Sequence, residues 1–370
     1  MADCTLMKTG KTMNFPRTIT LCNRTFSGQL LTDRINNTLA DESIDDWEKS
    51  VYRFIAQWIS PTATLELKTS GSTGEPKTIT VKKEWMIASA LSTQKALNLH
   101  PGMSALLCLP IEYVAAKMFI VRAFVSGLNL HLVKPDINPM AAFSGSVDFT
   151  ALTPPQVDAT MADGHIDRIK KLIVGGAALS EKSIRALQNI STAVIATYGM
   201  TETLTHVALR RINGPDRSPW YTALDGVAIR SDERGCLVIS APRINPEPVV
   251  TNDLCEFDTA GRFKILGRID NVINSGGLKI QPEIIENKIR PLIEGYNFFI
   301  GAIADERFGE RPALFIEGLP DKVTLPDLST MLSSHEMPAS IMVIPRFLYT
   351  ASGKLVRKET SKLQATSLPL

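Results

Sequence analysis

No uninterrupted apolar stretch in this chain is long enough to cross a bilayer. The best candidate, Val114 to Val133, is broken by Lys117 and Arg122, which argues against membrane insertion. The start, MADCTLMKTGKTMNF, has no apolar core of secretory type. The cysteines, Cys4, Cys22, Cys108, Cys236 and Cys255, form an odd set without a C-x-x-C pair. That argues against a disulfide framework and against a zinc site, and it points to a reducing, cytoplasmic home. The net charge of +2 is too weak a field to select nucleic acid or an anionic membrane. There is no repeat, no low-complexity tract, and no histidine–cysteine pattern of the kind that builds a metal centre or a catalytic triad.

What remains is an ordinary soluble composition, 44% hydrophobic and 21% charged, in 370 residues that can bury a large core in two domains. The first 60 residues are polar, with one expected helix in DESIDDWEKSVYRFIAQWIS. Asp41 or Ser43 would cap it, and Trp47, Val51, Phe54 and Ile55 share a face. From Thr64 the pattern is strand, loop, strand, then a helix over 83–98. SALLCLP, LNLHLV, KKLIVGGA and STAVIATYG each read as short buried strands, and YVAAKMFIVRAFVSG as a mostly apolar helix ended by Gly127. Helical stretches between buried strands imply an α/β architecture with a largely parallel sheet. From Gly226 the strands shorten (GVAIR, GCLVIS, GRFKILGRID). A Gly-Gly turn follows, then a helix PEIIENKIRPLI, strands NFFIGAIA and PALFIEG, and a further helix. The expected boundary lies at Gly267–Asp270. It leaves a large α/β domain over 1–269 and an α+β domain over 270–370, a typical domain size of about 100 residues.

The chemistry concentrates in a few stretches. LKTSGSTGEPK is small, hydroxylated and glycine-rich, and it ends in a lysine. It is not a Walker loop, because Pro76 supplies no amide and the following TITV is strand-like. Its free amides and hydroxyls suit a polyphosphate, although the same composition also suits a plain hairpin turn. YGMTE follows the apolar strand AVIAT. Thr201 offers a hydroxyl and Glu202 a hard oxygen for Mg²⁺, although a turn with one exposed acid reads the same way. Gly175 and Gly176 follow another buried strand, where open α/β sheets bind ligands. Asp253 and Arg268, in TND and GRID, are expected to flank a strand pair. Lys354 sits in the exposed turn TASGKLVRKE.

In order and spacing, TSGSTGEPK, YGMTE, TND, GRID, SGGLKIQPEIIE and TASGKLVRK resemble the signature motifs of the adenylate-forming superfamily. That superfamily includes acyl- and aryl-CoA synthetases, luciferases and nonribosomal-peptide adenylation domains. The resemblance runs from about Leu67 to Lys358. It implies that Thr69, Ser70, Gly71, Ser72, Thr73, Gly74 and Lys77 hold the β- and γ-phosphates of ATP. Gly175, Gly176, Ala177 and Tyr198 surround adenine, and Thr197, Gly199 and Met200 complete the nucleotide contacts. Thr201 meets the α-phosphate, Glu202 binds Mg²⁺, and Asp253 holds the ribose with Arg268 beside it. Lys354 serves adenylation. Gly276 and Gly277 mark the opposite face of the small domain, used for transfer to coenzyme A, and Asp270 is the hinge that exchanges the two faces.

The chain is short for this superfamily: only 68 residues precede Thr69, so the usual N-terminal subdomain is expected to be reduced. In this it is similar to the compact o-succinylbenzoate–CoA ligases of menaquinone biosynthesis. LPIEYVAAKM resembles their substrate-helix segment, with Tyr113 where a histidine often stands. Their acid has two carboxylates, so one must be held while the other reacts. Lys117 or Arg122, on an apolar helix, is the expected partner, unless Lys117 snorkels to solvent or pairs with a protein acid. His206 is placed near the acyl pocket or in the core. Two other readings stay open: another acyl- or aryl-CoA ligase for a fatty or benzoate-like acid, and a non-catalytic adenylate-binding relative. A carrier-protein thiol is an alternative acceptor. The sequence does not give the oligomeric state, and a homodimer is compatible with it.

Overall fold

The structure is a computed structural model that describes residues 15–68, 78–318, 325–349 and 355–368. The chain opens with a hairpin, β1 (Ile19–Leu21) and β2 (Arg24–Phe26), and two helices, α1 (Gly28–Ala40) and α2 (Asp46–Ile59). Helix α2 is the expected one, but it starts later. Its N-cap is Asp45, whereas Asp41 ends α1 and accepts the amide and hydroxyl of Ser43. It buries Val51, Tyr52, Phe54, Ile55 and Trp58, and Trp47 is only half-buried. The sequence gives little sign of α1, which buries only Leu31, Ile35 and Thr38.

Strands β3 (Thr64–Lys68) and β4 (Thr78–Lys82) pair antiparallel, from Thr64 opposite Lys82 to Lys68 opposite Thr78. They are the expected strand–loop–strand, and helix α3 (Lys83–Leu97) follows without a break. The base of this hairpin is held by a buried cation. Lys83 Nζ donates to the carbonyls of Trp58 (2.7 Å) and Ser60 (2.8 Å) and to the Ser60 hydroxyl (3.3 Å). These acceptors sit at the C-terminal end of α2, where unpaired carbonyls and the helix dipole favour a positive charge. Burial lowers the Lys83 pKa to about 8, so the ammonium is still charged at neutral pH.

The main sheet has nine strands in the order β11-β10-β9-β8-β7-β5-β6-β1-β2. After α3 the chain supplies β5 (Ser104–Leu107), α4 (Val114–Ser126), β6 (Asn129–Leu132), β7 (Val147–Leu152) and α5 (Pro154–Ala162). Then come β8 (Ile169–Val174), α6 (Glu181–Ala186), β9 (Ala193–Gly199), β10 (His206–Arg211) and β11 (Thr222–Ala223). The run from β9 to β1 is parallel, and β2, β10 and β11 are antiparallel additions. The α/β expectation holds, with the apolar strands buried between helices.

A four-stranded antiparallel sheet follows, made of β12 (Ala228–Ser231), β13 (Cys236–Ala241), β14 (Asn245–Phe257) and β15 (Phe263–Arg268). A six-stranded sheet then uses only residues from Ile273 onward. It contains β16 (Ile273–Ser275), β17 (Leu278–Ile280), β18 (Phe298–Asp305), β19 (Gly309–Glu317), β20 (Ile341–Ile344) and β21 (Thr366–Leu368). Helices α7 (Pro282–Ile289) and α8 (Arg357–Thr360) accompany it. Helix α7 stops short of the expected PEIIENKIRPLI, because Pro291 cannot supply an amide to continue it. The further helix expected after PALFIEG is not found among the described residues. Between Leu325 and β20 the only helical segment is a 3-10 turn, Leu328–Thr330, in a stretch bounded by Pro326 and Pro338. No helix among the described residues is long and apolar enough to cross a membrane.

Replacing Lys83 by Met keeps most of the apolar stem but strands the carbonyls that end α2. We expect a loss of about 2 to 3 kcal/mol in unfolding free energy, the scale of charge-assisted hydrogen bonds. Urea denaturation measures it, and an unchanged midpoint would remove Lys83 from the account of the fold.

Candidate functional site

The carboxyl ends of β8 and β9 gather nine of the sequence-predicted residues. Gly175, Gly176 and Ala177 follow β8. Gly175 is half-buried, and a side-chain carbon there would stand 2.7 Å from Thr197 Oγ1. Thr197 donates that hydroxyl to Val174 O at 3.1 Å, which ties β9 to β8. Tyr198 and Gly199 end β9, and Met200 caps a 3-10 turn, Thr201–Thr203. Thr201 is buried, and Glu202 is exposed on the turn.

Gly199 differs from its expected use. A side-chain carbon there would lie 2.1 Å from Thr205 O and 2.5 Å from His206 Cα. Its bare face is therefore filled by the returning strand β10. The loop is stitched internally by Thr203, whose hydroxyl accepts from Met200 N (3.0 Å) and lies within reach of the carbonyls of Met200 (3.0 Å) and Thr205 (2.8 Å).

Asp253 and Arg268 do not flank their strand pair but lie inside it, directly opposite one another on β14 and β15. Tyr198 donates its hydroxyl to Asp253 Oδ2 at 2.6 Å, which ties the end of the main sheet to the second sheet. Arg268 spans two acids, reaching Asp253 Oδ1 at 3.3 Å and Asp270 Oδ2 at 2.8 Å. Asn252 donates to both carboxylate oxygens of Asp270 at 3.1 Å. Burial, reinforced by the Asp253 charge, holds the Tyr198 hydroxyl well above its ordinary pKa, so it stays a donor. Burial works against the charge on Arg268, but Asp270 and Asp253 outweigh it and raise its pKa. Hydrogen bonds from Arg268 and Asn252 hold Asp270 below the usual carboxylate range, against a smaller opposing effect of burial.

The other candidates are dispersed. Tyr113 is the N-cap of α4, and Lys117, in its first turn, is half-buried and engaged. Arg122, further along α4, is 2% exposed and held by the hydroxyls of Thr93 and Thr205. His206 is buried, 3.0 Å from Thr93 Oγ1, as a core residue. Gly276 and Gly277 form the turn between β16 and β17. Thr69, Ser70, Gly71, Ser72, Thr73, Gly74, Lys77 and Lys354 lie outside the described residues.

Sequence reasoning passed over three contributors. Asn252 lay in the quoted TND and could have been found there. Tyr221 and Phe263 could not. They bridge backbone to backbone and set their rings 6.0 and 5.5 Å from the ring of Tyr198.

This geometry, a Tyr–Asp–Arg cluster between the carboxyl end of β9 and the β14–β15 pair, has relatives. The pattern of the AMP-binding enzyme family matches residues 58–234. A crystal structure of an acyl-CoA synthetase (AMP-forming)/AMP-acid ligase II-like protein from Dyadobacter fermentans is 33% identical, with a TM-score of 0.61. It aligns over 90% of this chain and 97% of that one. The chain belongs to the AMP-binding enzyme family. It is also 24% identical, over 357 residues, to the 2-succinylbenzoate–CoA ligase of Lactococcus lactis, covering 91% of this chain and 79% of that protein. The o-succinylbenzoate CoA synthetase of Bacillus subtilis, solved with an acyl-adenylate intermediate, gives a TM-score of 0.70 at 18% identity. The match covers 82% of this chain and 70% of that one, a likeness of fold.

In an AMP-binding enzyme the Tyr198–Asp253–Arg268 cluster invites a direct test. Asp253→Asn keeps the shape but removes the charge that both partners address. We expect AMP affinity, measured by calorimetry, to fall about tenfold or more, as for a lost charge-assisted hydrogen bond. Unchanged affinity would place the nucleoside elsewhere.

Proposed function

We propose that the chain activates o-succinylbenzoate as its adenylate, releasing pyrophosphate, and transfers the acyl group to the thiol of coenzyme A. The observation that carries the adenylation reading is the cluster Tyr198–Asp253–Arg268. Asp253 is a half-buried carboxylate held in place by a tyrosine hydroxyl and a guanidinium, a form suited to accept two ribose hydroxyls. Tyr198 offers an aromatic face to the base, and Thr201, one turn further, offers its hydroxyl to the α-phosphate.

Among the described residues, no group of three or more His, Cys, Asp or Glu side chains could hold a metal ion. A single exposed carboxylate such as Glu202 fits Mg²⁺ all the same, because that ion takes most of its ligands from water and nucleotide phosphates. When bound, it would supply positive charge at the phosphates. The chain's own part is electrostatic and positional. The attacking carboxylate is already ionised, so no general base is needed. Lys354 is assigned to the charge that develops as the carboxylate meets the α-phosphorus.

We assign residues 1–269 and 270–370 to two domains with Asp270 as the pivot. Its side chain is bound by Arg268 and Asn252, both on the larger part. Across the pivot, Glu283 of α7, held within its own domain by Asn271 Nδ2 at 2.5 Å, packs on Gly267. Rotation would separate Glu283 from Gly267 and bring the Gly276–Gly277 turn to the site for thioester formation.

The choice of acid rests on the Lactococcus relative and on Lys117. Of the two cations on α4, Lys117 is the half-buried one, in the first turn beside Tyr113. It suits the carboxylate that does not react.

A pyrophosphate-release screen over a panel of acids, with and without coenzyme A, tests the reading. Release is expected with o-succinylbenzoate above all other acids. A preference for a monocarboxylate would discard the assignment. Lys117→Ala should raise KM for o-succinylbenzoate about tenfold or more, the scale of one charge-assisted contact, whereas an unchanged KM would discard its role. Lys354→Ala should slow adenylation by about 10² to 10³ while thioester formation from preformed adenylate survives. Loss of both half-reactions together would contradict the two-face scheme.

A further inference from the structure

The loop that presents Thr201 and Glu202 ends in a backbone conformation that a leucine rarely adopts. Leu204 has φ 62° and ψ −39°, and Thr205 N donates to Thr203 O at 2.7 Å, only two residues back. This is the γ-turn of positive φ, a strained form, and it carries a large side chain that is 2% exposed. Such strain persists only where the surroundings over-determine the backbone.

The surroundings here contain a second anomaly. Arg122 is 2% exposed, and among the described residues its partners are hydroxyls rather than a carboxylate. Burying a guanidinium without an acid is costly, and burial lowers its pKa to about 9, still charged at neutral pH. Its Nε donates to Thr93 Oγ1 at 3.2 Å, and a terminal N–H donates to Thr205 Oγ1 at 2.7 Å. His206 closes the ring, with Nε2 3.0 Å from Thr93 Oγ1 and Nδ1 3.3 Å from Thr205 Oγ1. Burial and the neighbouring Arg122 keep that imidazole neutral. The ring thus joins α3, α4 and the two residues that follow the strained turn.

We infer that Arg122 is a positioning residue: through the Thr205 hydroxyl it holds the γ-turn at Leu204 closed, and so orients Thr201 and Glu202. The inference rests on the assignment of those two residues to the nucleotide and its metal. It gives Arg122 a part in the reaction without contact to the acid. Arginine is suited to this, since its planar fork presents donors in a fixed geometry to two hydroxyls on different elements, whereas an ammonium is a compact point charge.

The test uses the full chain, with o-succinylbenzoate or the best acid of the panel, and reads pyrophosphate release against Mg²⁺ and acid concentration. Thr205→Val keeps the volume and removes the hydroxyl. We expect kcat to fall about tenfold, with a several-fold rise in the Mg²⁺ concentration for half-maximal rate and KM for the acid within about threefold. Arg122→Lys should fall between wild type and Arg122→Met. If Arg122→Met does not fold, the isosteric Thr205→Val decides. A lowered Tm with unchanged kcat and Mg²⁺ dependence would overturn the inference, and so would a rise in KM for the acid alone. Glu202→Gln is run in parallel. If it leaves the Mg²⁺ dependence untouched, the metal assignment falls, and the anchor is judged on kcat alone.

Discussion

The close approach of Thr205 and His206 to the bare face of Gly199 determines where the rest of the site can stand. It is the point at which the main sheet stops being parallel. Parallel neighbours need a long crossover, whereas β10 returns beside β9 after a short loop. The sheet can therefore end in a tight hairpin at the carboxyl ends of its strands, where α/β sheets present ligand-binding groups. With Gly199 and His206 in register, Tyr198 has to point out of the sheet toward β14, and Thr201 and Glu202 have to occupy the turn. A side chain at residue 199 would push the strands apart and dismantle both consequences together.

Three cations are held in three different ways, and the differences follow from their surroundings. Lys83 sits on the open carbonyls of a helix end, where the backbone itself supplies negative charge. Arg122 rests on neutral hydroxyls in the core. Arg268 is shared by two carboxylates at the edge of a sheet and is the most exposed of the three. Only this last arrangement is easily redistributed, because solvent and ligands can reach it. The same guanidinium touches Asp253 and Asp270. Whatever engages Asp253 therefore acts on the group that steadies Asp270, without any intervening chain of side chains.

The sequence was most legible where a function depends on a short segment. YGMTE, the paired glycines after β8 and the Gly-Gly turn after Asp270 all lie where strand-end reasoning put them. Register was not legible: TND and GRID read as flanks of a strand pair, yet Asp253 and Arg268 turned out to face each other within it. Alternation of apolar residues marks a strand but says nothing about which residue of the next strand lies opposite. Helix α1 escaped notice because three buried residues in thirteen make too thin a stripe. The ring of Arg122, Thr93, Thr205 and His206 draws on positions more than a hundred residues apart. No local pattern encodes it, and the only hint was a charge inside an apolar helix.

That hint did not separate the two charges, and helix geometry shows how they differ. Lys117 and Arg122 looked interchangeable on a helix that is apolar all round. Five residues at about 100° each place them roughly 140° apart around the axis and about 7.5 Å along it. Two side chains so separated face different neighbours. Arg122 faces α3 and the start of β10, where hydroxyls enclose it. Lys117 stands half-buried in the turn that Tyr113 caps. A helix with polar residues on one side would have declared its buried face in advance. On this one, only the three-dimensional neighbours distinguish the two charges: Arg122 is enclosed by the hydroxyls of Thr93 and Thr205, and Lys117 stays half-buried in the first turn.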